Sequence, residues 1–551
     1  MRRMTVEEQT LPSDAESLKA MVMALAASHT TLEEAMAAKE AVLAEFESEI
    51  ALLREQIRLL VHKRFGPSSE KISREQLRLF LELDELKDTE EAEMSESSIT
   101  VKEHSRGKRG RRPLPASLPR IDVIHDLLDK DKVCPNDGEL LKRIGEDTSE
   151  QLSYIPATMR VLRHVRYKYA CPLCEDGVKI APLAPQPIPK SMAAPSLLAH
   201  VAVSKFADSL PLYRQSKMFE RIGVDIPRAT LASWMIGVGK LVQPLINFIR
   251  DDLLSGPVIQ CDETRCQVLK EPGKAPQSQS YLWAQRGGTV GNPVILFDYD
   301  PSRGGDVPQR LLAGFKGFLQ TDGYRGYDAV CGENSGIRRV GCMAHVRRKF
   351  SDALKAQLSV KGKKGKSRSK QLKNSKANQG LEQIRKLYDV ERAARDLSAE
   401  DRKSIRQEQA KPLLDKLKTW MHTAKDQVPP RSLTGKALSY LSDQWEYLIR
   451  YLEDGHLEID NNLVENAIRP FCLGRKNWLF SDTVPGIEAG ANLYSLIETA
   501  KAHGLEPFRY LCHVFRELPR AKNADEIERL LPKSCSSDEI ASVLSRDGPP
   551  I

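Results

Sequence analysis

Three acidic residues stand out by their setting. Asp262 ends a short apolar run in PVIQCDETRC, Asp322 ends another in GFLQTDGY, and Glu465 lies within HLEIDNNLVENAIRPFCLGRKNWLF. Carboxylate oxygens are hard ligands suited to Mg2+ or Mn2+. Brought together, three of them can hold two such ions about 3.5–4 Å apart, clamping the attacking and leaving oxygens of an in-line displacement at phosphorus. That chemistry cleaves or transfers phosphodiesters and needs no histidine or cysteine pair. Each acid has a rival reading. Glu263 directly follows Asp262, and strand alternation sends neighbours to opposite faces, so only one of the two faces the metals. Asp460 precedes Asn461 and Asn462; it competes with Glu465 or caps the helix that carries it. Asp322, in TDGY, has the composition of an ordinary turn.

The elements that must position these acids are written in the periodicity. From residue 257 short apolar runs read as strands: PVIQCDETRCQV, SYLWAQRG and PVILFDYD. DVPQRLLAGF then reads as a helix, GFLQTDGYRGY as a strand, and RRVGCMAHVRRKF as a strand entering a helix. This order is close to that of an RNase H-like mixed sheet, where the first and fourth strands are neighbours and their aspartates converge. The core is expected at 255–351 and 456–500, with a helical insertion at 352–455. Inside the insertion, KGKKGKSRSKQLKNSK carries only positive charge, and Lys363 and Lys364 are read as phosphate contacts rather than a solvated loop tip. Arg469, Arg475, Lys476 and Asn477 follow Glu465 closely and suit a grip on phosphates, bidentate for arginine. His345, Arg347, Arg348 and Lys349 follow the fifth strand; His345 has two readings, a contact with the active site or, the preferred one, a packed or solvent-facing side chain.

Other modules flank this core. Residues 20–65 read as one helix, with Met36, Leu43, Ile50 and Ile57 at one heptad position and Phe46, Leu53 and Leu60 at the other; Lys39 breaks the series. Such a repeat buries a seam, either against a partner helix as a dimerising coiled coil spanning 20–80 or against its own domain. Residues 84–125 form a linker whose basic strip, RGKRGRRPLP, places Arg109, Arg111 and Arg112 to lie along phosphates or in a minor groove, and a solvated basic linker fits the strip equally well. At 126–185, Cys134 and Asp137 form one knuckle and Cys171 and Cys174 the other, which is zinc-ribbon spacing with a carboxylate at one position. A ribbon held by its own core without zinc is the alternative. Within the helical stretch 190–250, SKMFERIGVDIPRATLASWM has the shape of a helix-turn-helix, turning at Gly223 and restarting at Pro227, with Arg228 at the head of the second helix. A plain helical hairpin fits as well. A helical element at 501–534 closes the pattern.

Composition agrees with a multidomain α/β protein that meets nucleic acid. The chain has 551 residues, a formal net charge of +8 and ten scattered cysteines. The cysteines do not form the framework of a secreted disulfide protein. No apolar run of membrane-spanning length and no secretory h-region is present, so a cytoplasmic, nucleoid-associated protein is expected.

The blocks CDET, QTDGYRGY, CMAHVRRKF and IDNNLVENAIRPFCLGRKNWLFSD resemble the signature blocks of insertion-sequence-66-type transposases. HKRFGPSSEKI, GRRPLPASLPR, EDTSEQLSYIPATMRVLRHVRYKYACPLC, PSLLAHVAVSKFADSLPLYRQ and LYSLIETAKAHGLEPFRYL extend the resemblance over residues 50–532. It implies DNA cleavage and strand transfer at the ends of a bacterial mobile element, with a DDE set carried by Asp262, Asp322 and Glu465. It also implies partners: double-stranded DNA, further copies of the chain, and small accessory proteins. Asp137 stands where the family's ribbon has cysteine. A non-catalytic DNA-binding regulator, a decayed copy, or a structure-selective nuclease on the same fold are the rival functions.

Overall fold

The structure, a computed structural model, describes residues 14–65, 159–169, 179–332, 335–358 and 374–541. The described strands after residue 182 are β1 (Val258–Cys266), β2 (Val268–Lys270), β3 (Ser280–Gly287), β4 (Val294–Asp300), β5 (Gly317–Gln320), β6 (Ile337–Val340) and β7 (Ser481–Thr483). Five of them form a mixed sheet in the order β4-β3-β1-β5-β6. β4, β3 and β1 pair antiparallel, while β5 and β6 run parallel to β1. The antiparallel half needs only hairpin links, whereas the parallel half requires a crossover, supplied here by a segment containing the short helix Asp306–Leu311. β2 and β7 make a separate parallel pair, Val268 opposite Ser481 and Lys270 opposite Thr483.

The helices sort by which core they feed. α1 (Ala15–Phe65) is a single helix of 51 residues. α2 (Pro195–Phe206), α3 (Leu212–Arg221), α4 (Arg228–Leu241) and α5 (Gln243–Ser255) bury Leu198, Val201, Leu231, Trp234, Leu245 and Ile249 in one core with the sheet. α6 (Met343–Leu358) leaves β6, and with α7 (Lys376–Ala393), α8 (Lys411–Lys425) and α9 (Leu433–Asp443) it builds a second core around Phe350, Leu387, Leu417 and Leu438. The chain then returns to the sheet through α10 (Asn462–Trp478) and α11 (Val484–Ala502), followed by α12 (Pro507–Glu517). An exposed edge strand invites pairing with another chain. Here α11 covers edge strand β4, taking the Ile295 N–H on Thr499 Oγ1 at 3.0 Å and the Phe297 N–H on Ser495 Oγ at 2.8 Å.

Gly223 makes the turn between α3 and α4 with φ +82°, and Pro227 directly precedes α4. α4 is a core helix: it buries Leu231, Trp234, Met235 and Val238, and Gly239 meets Ala489 of α11 so closely that a Cβ would lie 2.4 Å from the alanine Cβ. Arg228 and Ser233 remain on its exposed side. On α1 the apolar repeat is uncovered: Met36, Leu43, Phe46, Ile50, Leu53, Ile57 and Leu60 are all exposed. The helix does touch the rest of its unit, since Glu55 Oε2 accepts the Leu433 N–H at 3.0 Å. Packing of the repeat against its own domain is therefore not what the structure has.

The chain forms two compact units, residues 1–80 with 182–551, and residues 81–181. The described part of the second contains a short antiparallel pair, Lys168–Tyr169 with Lys179–Ile180. Cys134, Asp137, Cys171 and Cys174 lie outside the described residues, as do Arg109, Arg111, Arg112, Lys363 and Lys364. No single described helix is long and apolar enough to cross a membrane.

Candidate active site

The β1–β5 ladder sets the geometry. Gln260 sits directly opposite Gln320. Two residues further along each strand direction come Asp262 and Asp322, the second just past the end of β5. Residues two apart share a face, so register alone brings the aspartates to one side. Glu465 enters from the first turn of α10, which packs on β1 and β3. Burial holds the Asp262 carboxyl well above the ordinary carboxylate range, and the negative charges of Glu263, Glu465 and Asp322 push it further up. Mutual repulsion of this kind marks carboxylates that share a pocket.

The rival acids are committed elsewhere. Glu263 Oε1 accepts from Arg303 Nε at 2.7 Å, and its Oε2 accepts from the Tyr327 hydroxyl at 2.7 Å. Asp460 accepts the Asn462 N–H at 3.1 Å and the Tyr388 hydroxyl at 2.7 Å, so it holds the start of α10. Asp322 does act in a turn, accepting the Tyr324 N–H at 2.9 Å, while buried Arg339 donates to its main-chain carbonyl at 2.7 Å. That turn leaves the rest of the carboxylate available to the pocket.

Beneath the acids lies a pair of buried glutamines that sequence reasoning missed. Gln260 Nε2 donates to Gln320 Oε1 at 2.9 Å and to the Asp460 carbonyl at 3.2 Å, and Gln260 Oε1 accepts the Val464 N–H at 3.2 Å. Gln320 Nε2 donates to the Glu458 carbonyl at 2.6 Å. The first N–H groups of a helix have no partner within it, and Gln260 supplies one to α10 right beside Glu465. The glutamines thus tie both aspartate strands to the glutamate helix. Their signal was present as a repeated Gln-x-Asp, in QCD and again in QTD.

α6 contributes a further pair. Glu465 Oε2 accepts from Arg348 Nη2 at 3.0 Å, and His345 Nδ1 lies 3.7 Å from Glu465 Oε1. Of the two readings of His345, the structure has the one that reaches Glu465. Burial lowers the imidazole below its usual range, with Glu465 opposing that shift. Glu465 Oε1 and His345 Nδ1 are both buried without a hydrogen-bond partner. Cys342, His345 and Glu465 bring ligand atoms within 4.8 Å of one another. Burial holds the Cys342 thiol protonated, and its sulfur already accepts the Asn461 N–H at 3.4 Å, which disfavours it as a ligand. What remains is an oxygen-rich set with an orphaned carboxylate oxygen and an overcharged aspartate. A hard divalent cation would satisfy both, with Asp262, Asp322 and Glu465 as its oxygen donors, although their ligand atoms are not drawn together as those of Cys342, His345 and Glu465 are.

The expected basic residues divide by environment. Arg469 and Lys476 are exposed on the side of α10 that carries Glu465. Arg475 Nη1 donates to Thr264 Oγ1 at 3.3 Å, and Asn477 Nδ2 to the Ser209 carbonyl at 2.9 Å, so these two also anchor α10 to its neighbours.

Aspartates on two adjacent strands and a glutamate on the helix packed across them thus carry charges that act on one another. Comparison with known proteins supplies the family. Residues 190–489 match the model described as "Transposase IS66 family", and residues 131–175 match "zinc-finger binding domain of transposase IS66". Residues 52–123 match "Transposase C of IS166 homeodomain" and residues 495–532 "IS66 C-terminal element". The chain belongs to the IS66 transposase family. Among its relatives in Sinorhizobium fredii (strain NBRC 101917 / NGR234), "Uncharacterized protein y4jD" is 35% identical over 440 residues, covering 78% of this chain and 82% of the relative. "Uncharacterized protein y4qI" from the same strain is 32% identical over 555 residues, covering 96% and 98%.

Proposed function

We propose that the protein is an active DDE transposase, cutting and joining DNA at the ends of a bacterial mobile element. The observation that carries this reading is the convergence of Asp262, Asp322 and Glu465, with Glu263 and Asp460 already engaged elsewhere. The strand order β4-β3-β1-β5-β6, antiparallel then parallel, supports an RNase H-like core. Mg2+ or Mn2+ held by these three carboxylates would activate the attacking oxygen and stabilise the leaving one. The chain's own residues prepare for that. Gln260 and Gln320 fix the distance between the acid-bearing strands and α10. Arg348 balances the charge of Glu465, and Arg303 with Tyr327 keeps Glu263 out of the pocket. Arg469 and Lys476 present positive charge for the phosphates of double-stranded DNA, both element ends and target.

The uncovered repeat of α1 favours a homo-oligomer through a coiled coil, an arrangement that suits a reaction on paired DNA ends. The matched zinc-finger region supports a zinc-stabilised DNA contact at Cys134, Asp137, Cys171 and Cys174. Small accessory proteins and a place on the nucleoid belong to the same reading. The test is Mg2+-dependent cleavage and joining of the DNA that flanks this reading frame, comparing wild type with Asp322→Asn. Wild type is expected to nick at a terminal repeat and join ends, and the variant to do neither. If both proteins bind DNA and neither cuts it, the chain is a binding protein or a decayed copy; cutting without joining marks a nuclease.

A further inference from the structure

The exposed stripe of α10 does not end in charge. Glu465, Arg469, Leu473 and Lys476 recur at helical spacing on one side, and the helix then stops at an unusual turn. Leu479 has φ 67° and ψ −48°, a conformation that leucine rarely adopts. The turn is held from both sides. The Leu479 N–H donates to the Arg475 carbonyl at 2.7 Å, the Phe480 N–H to the Trp478 carbonyl at 2.8 Å, and the Ser481 N–H to the Gln267 carbonyl at 2.9 Å, where β7 joins β2. Trp478 is packed as well: a Cβ on Gly474 would lie 2.0 Å from its ring, and Lys205 Nζ sits 4.1 Å from the ring centre. Yet Leu473, Leu479 and Phe480 are 50%, 64% and 43% exposed. Rigid strain that displays apolar side chains needs a reason.

We propose that Leu479 and Phe480 form a wedge that enters the base stack of DNA lying along α10. The occupant is argued from charge and position. The apolar pair follows Arg475 and Lys476 in the chain, and Leu473 shares an exposed stripe with Arg469, which suits a polyanion that carries flat apolar surfaces inside it. From Glu465 the helix runs about 20 Å to its end, which is about six base pairs of duplex. The wedge therefore meets DNA on one side of the cut, where unstacking a pair would bend the duplex and fix its register. This assignment rests on the DNA-processing reading above, but it concerns binding alone.

The test is accordingly made without divalent metal, so that loss of catalysis does not affect it. Full-length protein is titrated with two duplexes of the flanking DNA, one fully paired and one carrying a single mismatch stepped along the sequence. A wedge gains from a pair that is already weakened, so wild type is expected to bind one mismatch position about tenfold more tightly than the paired duplex. 2-Aminopurine at that position should brighten on binding. Leu479→Gly combined with Phe480→Ser is expected to erase both signals. Glycine accepts a positive φ, so Leu479→Gly alone should keep or raise the Tm, which separates loss of the wedge from loss of the fold. Equal affinity of wild type for every duplex, with unchanged 2-aminopurine, overturns the proposal. So does a double variant that keeps the preference, or one whose only change is in self-association by light scattering, which would assign the patch to another copy of the chain. A failure of Asp322→Asn to abolish cutting would refute the catalytic reading and leave this result standing.

Discussion

Replacing Gln260 tests whether the site is held together from below. Its side chain is buried and serves three groups: Gln320 Oε1, the Asp460 carbonyl and the Val464 N–H. Gln260→Leu keeps the approximate volume and removes all three partners. Each buried polar group left unpaired costs about 1–3 kcal/mol, so the expected loss is about 3–6 kcal/mol, water recovering part of the sum. Activity should fall further than stability. The lost bonds are those that fix the first turn of α10, and displacement of a reacting group by about 1 Å costs about a hundredfold in rate. Gln260→Glu sharpens the test, because its carboxylate can still accept from Val464 but faces two acceptors, Gln320 Oε1 and the Asp460 carbonyl. Burial and those acceptors raise its folded pKa above the about 4.3 of a free glutamate. The folded variant then holds a proton the unfolded chain has released. Its stability is greatest in acid and is lost as pH rises through the raised value. Protonated, the carboxyl can donate one of the two missing bonds. The assay is single-turnover DNA cleavage against Mg2+ concentration at several pH values, well below each variant's Tm. The expected results are a higher metal requirement for both variants and a deficit for Gln260→Glu that narrows as pH falls. A folded Gln260→Leu protein with wild-type rate and metal requirement would refute the clamp.

Three further outcomes follow from the same geometry. Between the ordinary carboxylate pKa and the raised value of Asp262, the folded chain holds an extra proton, so metal-free stability falls as pH rises through that window. Asp262→Asn should remove that fall, raising the metal-free Tm most in alkaline buffer, while abolishing the Tm gain on adding Mg2+. Arg303→Met strips Glu263 of its cation and should cost about 2 kcal/mol by chemical denaturation, less than a fully enclosed pair, because Tyr327 still donates and Arg303 is itself 38% exposed. The cost should shrink in mild acid, where Glu263, already raised by burial, takes up a proton. On α1, Leu43→Asp with Ile50→Asp places charge in the exposed seam; light scattering should show loss of self-association with little change in Tm.

What was legible in the sequence is what short range dictates. Short apolar runs marked β1, β3, β4 and β5, with one aspartate within β1 and the other just past β5. Gly223 and Pro227 marked the turn between α3 and α4 for reasons of backbone freedom alone. The same residues were silent about packing, and Gly239 against Ala489 makes α4 a core helix first. Contacts closed over long separations could not be read. Arg348 reaches Glu465 across 117 residues that include the second core, and Gln260 reaches Val464 across 204. The Gln-x-Asp repeat could have been noticed, but only the β1–β5 register gives it meaning.

Several departures from local rules fall on one element. α10 carries a glutamate oxygen buried without a partner, a proline inside the helix at Pro470, an exposed Leu473, and a leucine at positive φ where a glycine would be expected. Other elements follow their local preferences: helices α7 and α9 start at serines that cap them, and the edge of the sheet is covered. Departures from local preference are expected where something outside the fold resolves them. On α10 a cation would satisfy the orphaned oxygen, and DNA would cover the leucines. Those departures lie between the carboxylates and the surface where a substrate would run.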